Sequence, residues 1–195
     1  MQSTPRRGRP PSADPSKIAR VALRLFERNG FDAVTMHEVA DAAKVSVRTL
    51  FRLFPTKSDL VWEGLKEIRV VVASRVAEVR GSGLSLRAAV LALAEPFLKP
   101  MEDPAVARLA RRRLRVIADA PALLGHETLR EIEADVASLF GPSSAPPALV
   151  ARAVVGVAFA ALFWWAEQES AVTPLDALDA ALRGVAGEPE RRGDS

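Results

Sequence analysis

The chain contains no cysteine and no tyrosine, and only two histidines. Without cysteine there is no disulfide framework and no thiolate metal site, which fits a reducing cytoplasm. His37 and His126 stand alone in the sequence, with no third ligand nearby, so no metal is expected. No Ser/His/acid set, Cys/His set or glycine-rich phosphate loop is present, so catalytic options are few and no cofactor is expected. There is no alternating strand pattern and no internal repeat. The N-terminal MQSTPRRGRPP lacks the apolar core of a signal peptide. The most apolar segment, residues 148–166, is free of charge only from Ala153 to Ala166, which is 14 residues. A membrane-spanning helix needs ~20. No membrane association is expected.

What is present is an apolar-rich, soluble composition, 49% hydrophobic and 26% charged over 195 residues. That is enough chain for one or two domains with a real core. The charge is unevenly placed. Residues 1–66 carry 12 Lys/Arg against 7 Asp/Glu, and residues 67–195 carry 15 against 17. A basic first third on a near-neutral remainder suits a nucleic-acid-facing end on a protein-facing body.

Hydrophobic periodicity is helical throughout, so the fold class is all-α. Residues 1–13 are rich in Pro, Arg and Ser and are expected to form a mobile basic arm. Its Arg6, Arg7 and Arg9 either enter a minor groove or act as a solvated tail that adds charge. Asp14 caps a first helix with Pro15 at its first position, and Asn29-Gly30 stops it. Ile18, Val21, Ala22, Leu25 and Phe26 make its apolar stripe. A further helix is expected from 57 to about 80. Beyond it, helices are expected at 86–99, 104–119, 122–140, 147–169 and 174–186, separated by proline- and glycine-bearing breaks. The polar tail 187–195 is expected to be disordered.

Residues 35–57 carry the most specific signal. Thr35 with Glu38 forms a capping box ahead of one short helix, and Ser46 caps a second after the turn Lys44-Val45. Leu50, Leu53 and Phe54 face inward, leaving Val47, Arg48, Thr49, Phe51 and Arg52 outward. Pro55 ends this helix, and Thr56 with Asp59 forms another capping box. Two short helices joined by a tight turn, the second with a basic, hydroxyl and aromatic face, read as a helix-turn-helix over about 36–55. The major groove admits such a helix. Thr35 and Lys57 begin helices, where backbone N–H groups favour a phosphate. His37 is read as either a phosphate neighbour or a plain surface histidine.

The segment 18–65 resembles the N-terminal domain of TetR-family transcriptional regulators. The matching residues are ARVALRLFERNGFDAVTM, the VADAAKVS turn, the recognition helix TLFRLF and the helix start PTKSDL. The resemblance implies a three-helix helix-turn-helix DNA-binding domain over 14–66 and a helical ligand-binding and dimerisation domain over 67–186. It implies DNA contacts from Thr35, Lys44, Ser46, Val47, Arg48, Thr49, Phe51, Arg52 and Lys57, with Thr35 and Lys57 clamping the backbone on either side of the groove. Two positions depart from the family. Lys44 stands at a turn where the family has Gly, because a left-handed conformation suits Gly. A lysine adopts it at a cost of ~1 kcal/mol. Phe51 stands where the family has Tyr and cannot offer a hydroxyl to a phosphate, although it can pack on a sugar or a thymine methyl.

In the C-terminal part, residues 147–169 are apolar on all sides, so this helix is buried from two directions. One side is expected against its own domain and the other against a second subunit. Val155, Gly156 and Phe159, with Leu175, Leu178, Leu182 and Val185 of the next helix, are the expected dimer interface. Trp62, Phe97, Leu114, Phe159, Phe163 and Trp164 are the candidate lining of an apolar ligand pocket. Trp164 and Trp165 are neighbours and face different sides. The run Arg111, Arg112, Arg113 and Arg115 cannot form one patch, and solvated, salt-bridged roles are favoured over anion binding.

The expected function is a homodimeric, cytoplasmic, DNA-binding regulator acting on a near-palindromic operator. The leading form is a repressor released by a small lipophilic ligand, and the segment VIADAPALL resembles regulators of acyl-CoA-like ligands. The alternatives are an activator, a regulator without a small-molecule ligand, or a protein-interaction module that kept the fold without binding DNA.

Overall fold

A computed structural model describes residues 13–141, 145–168 and 171–187. The arm residues Arg6, Arg7 and Arg9, and the tail beyond Gly187, lie outside the described residues. Ten α-helices and two short 3₁₀ turns account for the regular structure there, with no strand among the described residues.

Helix α1 (Pro15–Asn29) starts as its capping chemistry dictates. Asp14 Oδ1 accepts from the backbone N–H groups of Ser16 and Lys17 at 3.0 and 3.3 Å. Its buried stripe is Ile18, Ala19, Ala22, Leu23 and Phe26, with Val21 and Leu25 half-buried at the margin. Helices α2 (Met36–Ala43) and α3 (Val47–Leu53) follow, joined by the short turn. Val39, Ala40, Leu50 and Phe54 close this core against α1.

The expected continuous helix from 57 to about 80 is broken. Helix α4 (Lys57–Val61) and helix α5 (Leu65–Val79) are separate. Gly64 between them has φ 85°, a left-handed conformation that glycine adopts without a Cβ penalty. The apolar periodicity continues through the break, which is why it was hidden in the sequence. The break lets both Trp62 and Leu65 turn inward, and leaves Glu63 at the junction of the two halves.

The larger half consists of α5, α6 (Leu86–Leu98), α7 (Pro104–Asp119), α8 (Glu127–Ala137), α9 (Pro147–Glu167) and α10 (Pro174–Ala186). One 3₁₀ turn covers Lys99–Glu102 and another covers Pro121–Gly125. Helix α9 packs on α7, α8 and α10, and α10 also packs on α6. Ion pairs and hydrogen bonds reinforce these contacts. Arg87 on α6 pairs with Asp179 on α10, and Arg69 on α5 pairs with Asp135 on α8 at 3.2 Å.

Helices α9 and α10 depart from expectation. Leu178 and Leu182 are buried within the subunit, packed with Val90, Leu98 and Ala161, and Leu175 packs on the same cluster. Their narrow apolar seam faces α6, not a partner chain. A 3-4 spacing specifies that a helix must cover the seam, but not which helix. Trp164 is 47% exposed, and its neighbour Trp165 is the buried one. Trp165 is held by Arg111, whose guanidinium lies 4.0 Å from the ring centroid, and by its own indole N–H on the Val172 carbonyl at 3.1 Å.

Candidate nucleic-acid interface and ligand cavity

The caps of the helix-turn-helix form as the residue types require. Thr35 Oγ1 accepts from the Glu38 N–H at 3.2 Å, and Glu38 accepts from the Thr35 N–H at 2.7 Å. The Thr35 hydroxyl also donates to the Glu38 carboxylate at 2.8 Å, and the two bonds received, the backbone one foremost and then the hydroxyl, hold that carboxyl below its ordinary range. Ser46 Oγ accepts from the Thr49 N–H at 3.1 Å. Lys44 has φ 55° and ψ 41°, so the turn is left-handed at a lysine, as the sequence demands. Its cap N–H reaches the carbonyls of Ala40 and Asp41, which satisfies the end of α2 without glycine.

Helix α3 therefore projects from a well-determined base. Arg48, Phe51 and Arg52 are exposed, while Val47 and Thr49 are half-buried. Arg48 and Arg52 make no hydrogen bond or ion pair among the described residues. Phe51 is 44% exposed, so part of its ring faces water beside the two arginines. The surface is basic, aromatic and unpartnered.

Lys57 differs from expectation. Its ammonium donates to the carbonyls of Phe31, Asp32 and Val34 at 2.7, 3.2 and 3.0 Å, and sits 4.5 Å from the Phe31 ring centroid. An ammonium has three donors, and all three are occupied. The loop after α1 exposes carbonyls with no helical partner, and a nearby cation satisfies them. Lys57 thus ties α4 to the α1–α2 connection, and its side chain points away from a phosphate role.

Several side chains join this domain to the larger half. Trp62 Nε1–H donates to the Leu123 carbonyl at 3.0 Å. Asp59 lies 3.2 Å from His126 Nε2 and also closes the Thr56 capping box. Burial acts to raise the Asp59 pKa, but the bonds from Thr56 and His126 outweigh it and leave the carboxyl below its ordinary range. Arg112 and Arg115 on α7 both pair with Glu27 on α1.

Behind this junction lies an apolar cavity of about 250 Å³. Trp62, Phe97, Leu114 and Phe159, four of the six candidate lining residues, are in its wall. Phe163 lines a second depression, which also touches Gly156, while Val155 and Phe159 line both. Trp164 lines neither. The sequence reading missed Glu63 and Arg113, the only charged residues in the cavity wall among the described residues. Their place depended on the break at Gly64, which carries no apolar signal.

An all-helical chain with a capped, exposed recognition helix on one half and a cavity in the other defines a helix-turn-helix transcription regulator. The chain belongs to the TetR family. Residues 18–63 match the family described as bacterial regulatory proteins, tetR family, and residues 83–188 match the MftR C-terminal domain. A protein of Mycobacterium tuberculosis assigned as a mycofactocin biosynthesis transcriptional regulator, MftR, is 31% identical, covering 93% of this chain and 94% of that one. The solved fold of NalD, the secondary repressor of a multidrug efflux pump in Pseudomonas aeruginosa, is similar with a TM-score of 0.58 at 16% identity, covering 92% of this chain and 97% of that one. The ketosteroid regulator KstR2 of M. tuberculosis is similar with a TM-score of 0.52 at 16% identity, covering 89% of this chain and 93% of that one.

Proposed function

We propose that this regulator is a cytoplasmic repressor that binds a near-palindromic operator as a homodimer and is released by a small lipophilic ligand. The observation that carries the ligand response is the apolar cavity against Trp62, beside the contacts that join the two halves. A ligand shifts the protein only by binding one conformer more tightly than the other. A cavity walled by α5, α7 and the α4–α5 break is placed to make that distinction.

Dimerisation is supported by the outer face of α9. Leu149, Ala153, Gly156, Ala160 and Trp164 are exposed along one side of that helix. Small residues between two large apolar ones permit close approach of a second helix. Helix α9 is long and apolar enough to cross a membrane by length and composition alone, with a mean hydropathy of 1.9. Its packing on α7, α8 and α10, and the Arg152–Glu133 pair beside its exposed face, favour a partner subunit instead. Two copies so joined would present two α3 helices to successive major grooves.

The test uses DNA from upstream of the chain's own gene and measures fluorescence anisotropy at several salt concentrations. Arg48→Ala or Arg52→Ala is expected to relax preference at one base pair per half-site, by about 1–3 kcal/mol. A small lipophilic compound is expected to weaken binding. Unchanged base preference in both variants would place DNA readout on another face.

A further inference from the structure

We propose that Glu27 is a positioning residue that holds the two recognition helices of the dimer at a fixed distance and angle, and so makes the regulator selective for the spacing between operator half-sites. This rests on the homodimeric reading above, in which α9 joins the subunits, and names a further residue that sets its DNA specificity.

Glu27 stands near the C-terminal end of α1, in the half that carries α3, but away from the exposed face of α3. Its carboxylate receives two arginines of α7. Arg112 Nε–H donates to Oε2, and Arg115 Nη1 lies 3.5 Å from Oε1. Arg115 has a second partner. Its Nη2 donates to the Ala166 carbonyl at 3.3 Å, at the C-terminal end of α9. One side chain therefore bridges the helix that joins the subunits and the half that meets DNA. Arg111, one turn earlier on α7, donates to the carbonyls of Trp165 and Gln168 at the same end of α9. The last carbonyls of a helix have no intrahelical partner and favour a cation, which accounts for the hold of α7 on α9.

An exposed ion pair contributes little to stability, because solvent screens it. Here its position matters more than its strength. Helix α7 also holds α1 at a second place, where Arg113 pairs with Glu63 at 3.8 Å and Glu63 accepts from Ser16 Oγ at 3.0 Å. Ser16 and Glu27 lie near opposite ends of α1, ~16 Å apart at the rise of an α-helix. Two attachments that far apart define an angle, which one cannot. The other ties described between the halves, Trp62 to Leu123 and Asp59 to His126, lie together at α4. Without the Glu27 carboxylate the halves stay joined, but the C-terminal end of α1 is free to rock.

Such rocking bears directly on DNA. One base pair moves a half-site by ~3.4 Å along the duplex and turns it by ~35°. A dimer with stiff α7–α1 joints meets one spacing without strain and is strained by its neighbours. Loose joints meet several spacings almost equally.

The test uses the full-length protein and its operator, with the half-sites moved together or apart by one and two base pairs. Fluorescence anisotropy at fixed salt reads each duplex, beside a duplex carrying a single half-site. Wild type is expected to prefer one spacing. An exposed pair accounts for a factor of up to ~5 in an equilibrium constant. Each subunit carries its own Glu27 cluster, so Glu27→Gln is expected to reduce the ratio of best to next spacing by ~5-fold or more. The dimer seen by light scattering and the base preference within a single half-site are expected to stay as in wild type. The lost negative charge strengthens binding to all duplexes alike and cancels in the ratio, and a general loss of stability would also leave the ratio unchanged. Arg112→Met should flatten the profile in the same direction. The double variant should be no flatter than Glu27→Gln, because the two residues act as one contact. A profile as sharp in Glu27→Gln as in wild type overturns the assignment, and so does a double variant flatter than Glu27→Gln. Equal binding of wild type to every spacing also overturns it and leaves the DNA-binding reading standing. If wild type binds DNA only as a monomer, or not at all, both readings fail. If Glu27→Gln does not fold, the profile of Arg112→Met decides the matter.

Discussion

The Trp62 indole N–H donates to the backbone carbonyl of Leu123 at 3.0 Å, 61 residues away along the chain. One bond thus pins the end of α4, which belongs to the DNA-binding half, to the 3₁₀ turn after α7. The same ring packs edge-on against Phe159 at 6.0 Å and lines the cavity. Trp62→Phe would keep most of the apolar contact and leave the Leu123 carbonyl with the His126 backbone N–H at 3.2 Å as its remaining donor. The expected cost is about 0.5–1.5 kcal/mol, the net contribution of one hydrogen bond. Urea denaturation with an unchanged slope and an earlier midpoint is the expected result.

Lys57→Met separates a structural lysine from a phosphate-binding one. Loss of three bonds from an ammonium to the Phe31, Asp32 and Val34 carbonyls should reduce stability by about 1.5–3 kcal/mol. The salt dependence of DNA binding should keep its slope, because no phosphate contact is lost. Lys44→Ala, on the exposed turn, should lower that slope by ~1 per site. A drop in slope for Lys57→Met would show that the ammonium leaves its carbonyls on DNA.

Leu178→Arg and Gly156→Arg should fail in different ways. Leu178 is 1% exposed against α6, and burying a charge there should cost several kcal/mol and unfold the larger half. Gly156 is exposed on α9, and the space its missing Cβ would occupy is open, so arginine there should leave the subunit folded. It should instead yield monomers. Circular dichroism and light scattering, read together, distinguish unfolding from dissociation.

Acid sensitivity should trace to the capping carboxylates. Glu38 and Asp59 both sit below their ordinary values of 4.5 and 3.8. A depressed folded-state pKa means that the folded state holds the proton less readily than the unfolded chain. The stabilisation is therefore complete above those ordinary values and is lost as pH falls below them, through the folded-state values. Glu38→Gln should flatten part of this acid-side decline in midpoint temperature and leave the neutral-to-alkaline profile unchanged. A decline of the same steepness in Glu38→Gln would exclude Glu38 as a contributor.

Much of this architecture was legible in local chemistry. Asp14, Thr35, Ser46, Thr56 and Thr173 all cap helices as their side chains allow, because a cap involves residues only two or three apart. The outward face of α3 follows from the inward set Leu50, Leu53 and Phe54 on a 3.6-residue period. The left-handed Lys44 follows from the shortness of the turn.

What the sequence determined alone was therefore the helical class, the caps, the recognition helix and its exposed residues. The tertiary structure decided which helix covers which face. Leu178 and Leu182 carry an apolar seam that α6 or another subunit would satisfy equally, and only packing selects α6. Lys57 has a helix-terminal position that suits a phosphate, and only the nearby carbonyls of residues 31–34 turn it inward. Glu63 and Arg113 stand 50 residues apart in sequence, and beside the kink at Gly64 their side chains come within 3.8 Å in the wall of one apolar cavity. The physical reason is common to all three. Periodicity and capping are short-range and additive along the chain, whereas the partner of a buried face or a charge depends on long-range contacts that no local pattern encodes.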